Sequence, residues 1–531
     1  PVRSLDELVA GATSLTRRDW AEARLTQPFA LRVPGALRQA ETAAFTRSDD
    51  YISNYNIHTS ALAAADGTRP FPDGPKLISH WGLRDHIKGM YSDPTGNLPL
   101  QRLIRTVMER IVRQEIQAAV VDAAGLLWDP VTNRVSTATE GAPAWEASPR
   151  EPDTRYEMLL KIFRAERAVD GAAPAYPSFI SRRFDRYREI PEAKVEALLT
   201  AVLAAPVARE VGAIVRQRLG RDLEPFDIWY DGFKARGAIS EEELDEKVRA
   251  LYPTARAFED GVPAILEALG FDEATARFLG ERIVVDPSRG AGHALGAEMR
   301  SDKAHLRTRV GPEGMAYKGF NIAVHELGHN VEQTFTLQRV DSTLMKGVPN
   351  TAFTEAFAFL FQKRDMQLLG HPAPDAAQRA LDVLDAFWNT FEIAGVGLMD
   401  MRVWRWMYAH PTATPAELRD AVVTIAITIW NDYYAPVLGP RDTPLLAIYS
   451  HMIDAGLYLP DYSVGYLIQF QIERYIEGKN LAKEMERMCS QGRLTPDTWM
   501  QGAVGAALSA APLIKATSEA VKTVRKELVR K

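Results

Sequence analysis

One short stretch of the chain has the residue types and spacing of a metal site: Asn321-Ile-Ala-Val-His325-Glu326-Leu-Gly-His329-Asn330. On a helix, positions i and i+4 share a face, so His325 and His329 can offer imidazole nitrogens to one ion, at about 2.0–2.1 Å for zinc. Glu326 stands beside them and off the ligand axis, where a general base acting on a water belongs. The same pattern also arises by chance in helices that bind nothing. Here Phe320, Ile322, Ala323, Val324 and Leu327 make the helix apolar, and histidines and a glutamate in such a helix are costly unless paired or metal-bound. Gly328 is a poor helix former and implies a close neighbour at that turn.

A catalytic zinc needs a third protein ligand and an open fourth position. Thr354-Glu355-Ala-Phe-Ala-Phe-Leu-Phe is an apolar helical pattern carrying one carboxylate, and 341–350 can act as the loop that returns it against the first helix. Metal ligation explains Glu355, which would otherwise be a buried lone charge. Glu332 is the rival, but at i+3 from His329 it reads as facing solvent or a supporting partner. His325, His329 and Glu355 are thus the candidate ligands of one Zn2+, with Glu326 as catalytic base.

Two further segments could serve the same centre. HMIDAGLYLPDYSVGYLIQFQIERY (451–475) gathers Tyr458, Tyr462 and Tyr466 around a Pro-Asp break. A tyrosine hydroxyl near the metal could donate to a tetrahedral oxyanion, although each ring could equally be a core aromatic. GHALGAEMR (292–300) precedes HLRTRV, and an extended edge there could bind a peptide backbone, with His293 in contact with it or left as a surface loop residue.

The elements that must position these residues are mostly helical. Apolar stripes at helical spacing run over 98–128, 193–219, 241–270, 373–395, 415–435 and 465–488, with a terminal helix over 511–531 whose basic face reads as solvated. Pro/Gly clusters at 67–76 and 140–153 mark breaks. Strands are expected only near 281–287 and 305–311. The chain divides near residue 280 into a helical first part, 1–280, forming one wall of a cleft, and a catalytic zinc-binding part, 281–531, the two interleaving as one body.

The 531 residues carry a net charge of −6, so no basic excess points to nucleic acid. The single cysteine, Cys489, excludes an internal disulfide and reads as a small buried side chain. No apolar run approaches the roughly 20 residues needed to span a bilayer. The chain starts at Pro1, so the segment deciding its compartment is missing: periplasmic or secreted if a signal peptide was removed, otherwise cytoplasmic.

The order of these segments, from about residue 285 to 475, resembles the gluzincin-type helical zinc peptidases. It is similar above all to the angiotensin-converting enzyme family (M2) and the related M3 oligopeptidases. The resemblance implies a mainly α fold: a two-lobed helical ellipsoid with a deep central channel and a small β element near the active site. It implies that His293 and Ala294 touch a peptide substrate, that Tyr462 stabilises the oxyanion with His451 assisting, and that Tyr458 and Tyr466 line the substrate path. VWRWMYAH (403–410) is also similar to the family. Three positions depart from it. Phe359 stands where an aspartate often supports a zinc histidine. Leu459 and Asp461 replace a carboxylate-anchoring tyrosine and a chloride-linked arginine of the converting enzyme. The expectation is a zinc peptidase cutting short unfolded peptides, in dipeptidyl carboxypeptidase or oligopeptidase mode. The competing readings are a weakly active or inactive zinc- and peptide-binding protein of the same fold, and a helical scaffold in which HELGH is accidental.

Overall fold

The computed structural model describes residues 2–71, 76–78, 81–123, 125–137, 143–234, 241–288 and 292–530. Parts of the expected breaks at 67–76 and 140–153 lie outside them. Helices dominate, as expected for a mainly α chain, and one apolar core runs without interruption from Leu8 to Val524.

The elements used below are helices α1 (Gly35–Asn54) and α2 (Thr154–Asp170), strands β1 (Ile283–Ser288), β2 (His293–Leu295) and β3 (Ala304–Arg309), and helices α3 (Tyr317–Gln338), α4 (Thr351–Gln362), α5 (Ala376–Ala409), α6 (Leu459–Ile476) and α7 (Ala511–Arg530). The 34-residue α5 is the spine of this region. Its side chains from Phe387 to Trp404 are almost all buried, because α6, α7 and the helix Glu192–Leu203 pack around it. Asp375 starts it by accepting the Gln378 backbone N–H.

Both expected strands are present, and two short antiparallel pairings that were not expected join Asn56–His58 to Lys76–Ile78 and Leu127–Asp129 to Arg134–Ser136. β1 and β3 pair in parallel, and β2 adds to β3 antiparallel, with His293 opposite Arg307 and Leu295 opposite His305. β2 is therefore an edge strand, paired on one side only among the described residues.

Three expectations change. The pattern over 98–128 forms a helix only for Leu98–Arg113, ending at left-handed Gln114 (φ 53°); Leu127–Asp129 instead pairs with Arg134–Ser136 as a hairpin. The helical readings at 193–219 and 241–270 each split in two, at Pro206 and Pro253, because proline removes a backbone donor. The basic face of the terminal helix α7 is exposed at Lys515, Lys522, Arg525 and Lys526, as expected, while Leu513, Ala516, Ala520, Val521 and Val524 are buried where it lies on α5. Finally, Pro415–Leu438 is long and apolar enough to cross a membrane by length and composition, although 44% of its apolar window is buried in the protein. It exceeds the expected run length because a π-helical segment, Trp430–Tyr434, joins two helices into one continuous rod.

Candidate metal centre

Helices α3 and α4 carry the three candidate ligands, and a glycine sets their separation. A Cβ at Gly328 would lie 2.7 Å from the Ala358 Cα and 2.8 Å from the Phe357 carbonyl oxygen. The helices thus cross with backbone against backbone, as the position of Gly328 in the sequence implied. Phe353, Phe357 and Phe361 anchor the far side of α4 in the core, each fully buried, and burying such a ring stabilises by about 2–3 kcal/mol. Asn350 caps α4 by accepting the Ala352 N–H. The polar residues of α4 then face α3.

That crossing brings the carboxylate of Glu355 to 3.6 Å from His325 Nε2 and 3.7 Å from His329 Nε2. The three donors lie within 4.8 Å of one another. Ligands at about 2.05 Å on a zinc tetrahedron are about 3.4 Å apart, so the group fits a zinc ion closely. Burial, and for His329 also the neighbouring His325, holds both imidazoles below their ordinary pKa, His329 at about 3. Both are therefore neutral and able to ligate near pH 7. The Glu355 side chain remains 39% exposed, which leaves the centre open on one side for water and substrate.

Each imidazole is fixed by its other nitrogen. His325 Nδ1 lies 3.0 Å from Gln362 Oε1, and Gln362 Nε2 donates to Asn321 Oδ1 at 2.8 Å. Asn321 in turn donates to Asp365 at 2.7 Å, as does the Tyr317 hydroxyl. His329 Nδ1 lies 2.9 Å from Thr354 Oγ1, whose hydroxyl donates to Glu332 at 2.6 Å. Amide and hydroxyl acceptors at Nδ1 direct both Nε2 lone pairs at the Glu355 carboxylate. The support missing at Phe359 is thus supplied by Gln362, one turn further along α4; the Phe359 ring packs edge-on against His325 at 5.1 Å. Glu332 does not face solvent: it is buried and reaches His329 through Thr354, and burial pushes its pKa up to about 7.

Glu326 is buried beside the ligands, and burial, then the Glu355 carboxylate, push it up to about 7. The start of β2 lies against it. A Cβ on Gly292 would approach Glu326 Oε1 to 2.9 Å and Ile322 Cγ2 to 2.2 Å. His293 is exposed and Ala294 half-buried on this edge strand, so the strand begins at the base of the centre.

The tyrosine segment forms the first turns of α6. The Tyr462 ring stacks parallel to His451 at 6.4 Å, and Tyr458 packs edge-on against both, at 5.3 and 5.7 Å. Asp454 holds His451 Nδ1 at 2.9 Å. Tyr466 contacts Phe359 and so adjoins the ligand helix. Burial raises the hydroxyl pKa of Tyr462 far above that of a free phenol and that of Tyr466 to about 12, so both remain proton donors. Asp461 accepts from Arg188 at 2.6 Å and lies 3.7 Å from Arg183. Cys489 is buried, as expected.

Sequence reading missed Gln362, Asn321, Thr354 and Gly292 as contributors. Gln362 could have been found: it follows Glu355 by seven positions, on the same helical face. Gly292 could not, because its neighbours come from another element.

No protein-family profile and no curated protein matches the chain. Solved structures do. A protein assigned as a peptidase from Chlamydophila abortus superposes with a TM-score of 0.58 at 11% identity, over 97% of this chain and 80% of that one. PZ peptidase A, solved with an inhibitor, gives 0.55 at 13% identity, over 98% and 84%. A protein assigned as oligoendopeptidase F from Bacillus anthracis gives 0.54 at 11%, over 98% and 82%. At these identities the likeness defines the fold: this chain has the mainly α architecture of structures that carry peptidase names.

Proposed function

We propose that this protein is a zinc-dependent peptidase acting on short, unfolded peptides. The observation that carries the reading is the pair of neutral imidazoles, each fixed at Nδ1 and directed at the Glu355 carboxylate, with Glu326 alongside. A zinc ion held by His325, His329 and Glu355 would polarise the scissile carbonyl and acidify a water. Glu326 takes a proton from the attacking water and returns it to the leaving amine, a role suited to a carboxylate raised towards neutrality. Tyr462 donates to the oxyanion, with His451 stacked on it. His293 and Ala294 receive the peptide backbone along the outer edge of β2, and Tyr458 and Tyr466 line its path. Residues up to about 280 wall the other side of the channel. The shared fold with structures of oligopeptidase name supports the reading, and the Arg188–Asp461 pair favours an oligopeptidase mode over a chloride-dependent dipeptidyl carboxypeptidase.

Glu326→Gln tests it. The variant should hold one zinc per chain by elemental analysis while cleavage of a mixed peptide library, read by mass spectrometry, falls by about 10²–10⁴. Full cleavage by the variant refutes the assigned base. Less than about a tenth of an equivalent of zinc in metal-replete protein refutes the centre.

A further inference from the structure

The tyrosine cluster has a second face. There a cavity of about 530 Å³ opens between α1, α2, the turn 182–187 and residues 454–458. Tyr458 lines this cavity and also packs against Tyr462 and His451. Asp454 lines it too, and fixes His451. The cavity therefore shares a wall with the side chains assigned to the oxyanion. Its volume is in the range of a small-ligand site and accommodates several peptide residues.

Arg38, Arg182 and Arg183 share its wall with Glu41, Glu166 and Asp454, but Arg183 is the least closely paired of those traced below. Asp454 is taken by His451. Arg182 is bound to Glu166 at 3.1 Å and to Asp170 at 2.8 Å. Burial, then the adjacent Glu41 carboxylate, push Glu166 up to about 7, so these two acids together carry less than two charges near neutrality. Asp461, just beyond the wall, is taken by Arg188 at 2.6 Å. Arg183 is left with distant acceptors: the Leu457 carbonyl at 3.5 Å and Asp461 at 3.7 Å. Its Nε is buried with no hydrogen-bond partner. A guanidinium with its Nε buried and its pairing so loose is costly unless an anion completes it.

We propose that this cavity is a subsite of the peptide channel in which Arg183 receives the carboxyl terminus of the substrate. The proposal rests on the peptidase reading and names the substrate feature that reading leaves open. A guanidinium matches a carboxylate in two-pronged geometry. Leu31, Val33, Phe45 and Phe179 on the wall suit an apolar residue next to that terminus. The protein then selects peptides short enough to carry a free carboxyl end into the cleft.

The test compares two fluorescent peptides with the same apolar C-terminal residue, one a free acid and one a carboxamide. Binding is read by anisotropy on zinc-loaded Glu326→Gln protein, which leaves them uncut. The acid should bind about tenfold tighter than the amide. Adding Arg183→Met should erase that preference by weakening the acid alone, and Arg183→Lys should keep part of it. Should Arg183→Met not fold, competition in the unsubstituted protein replaces it: N-acetylphenylalanine should displace the acid peptide and its amide should not. Equal binding of the two peptides, binding of neither, a preference that survives Arg183→Met, or equal competition by the two amino-acid derivatives overturns the proposal. If the acid preference holds but protein with Glu326 intact cuts no peptide, the peptidase reading falls and the carboxylate site stands.

Discussion

Gly292 and Glu326 are in direct contact: a Cβ on the glycine would come within 2.9 Å of a carboxylate oxygen of the glutamate. The edge strand and the proposed base are thus built against each other, and the strand cannot take a side chain there without moving the base. Gly292→Ala should therefore keep zinc but lose cleavage by at least about tenfold, since small misplacements of a catalytic group are costly. Zinc content and kcat/KM measured on the same preparation check this. Unchanged kcat/KM would mean that the strand yields instead.

Gln362 sets the basicity of His325 through a neutral amide. Gln362→Glu would place a carboxylate on Nδ1 and should tighten zinc binding, while Gln362→Ala should weaken it by about 10–100-fold. Competition against a chelating dye gives both affinities, with circular dichroism confirming fold. Equal affinities in all three proteins would remove Gln362 from the support of the metal.

Glu332 gives a pH dependence with a definite sign. Its pKa in the folded protein, about 7, lies above its ordinary value of 4.5. The folded state therefore holds a proton that the unfolded state releases. Stability associated with Glu332 is complete below about pH 4.5 and is lost as pH rises through about 7. Glu332→Gln imitates the protonated form. Metal-free variant and parent should have similar urea midpoints at pH 5, and at pH 8 the variant should be the more stable, by up to about 3 kcal/mol. A parent at least as stable as the variant at pH 8 would contradict the assignment.

Asp461 already occupies the cationic surroundings of Arg188 with a carboxylate of the chain itself. Cleavage should then show no activation by chloride when chloride replaces acetate at constant ionic strength. Asp461→Ala should lower activity and make it respond to added chloride. A parent enzyme activated by chloride would show that the internal carboxylate does not satisfy Arg188.

The sequence by itself singled out the candidate ligands and the proposed base. His325, Glu326 and His329 are tied together by helical periodicity, a local property, and Glu355 stood out because a lone carboxylate in an apolar helix has few uses. Helical content and two of the three strands around the site were legible for the same reason, since amphipathic spacing is written along the chain. The stretches 193–219 and 241–270 were read as continuous helices, although the prolines at 206 and 253 carried the signal that splits them. Tertiary structure decided what depends on approach between distant segments. Gly328 against Ala358 fixes how near Glu355 comes to the histidines. Gln362 and Thr354, not a carboxylate at position 359, hold the imidazoles. Gly292 against Glu326, and Arg183 left short of an anion beside Tyr458, arise from contacts between elements far apart in sequence. No periodicity encodes such contacts, because they follow from how helices and an edge strand pack once the core has closed.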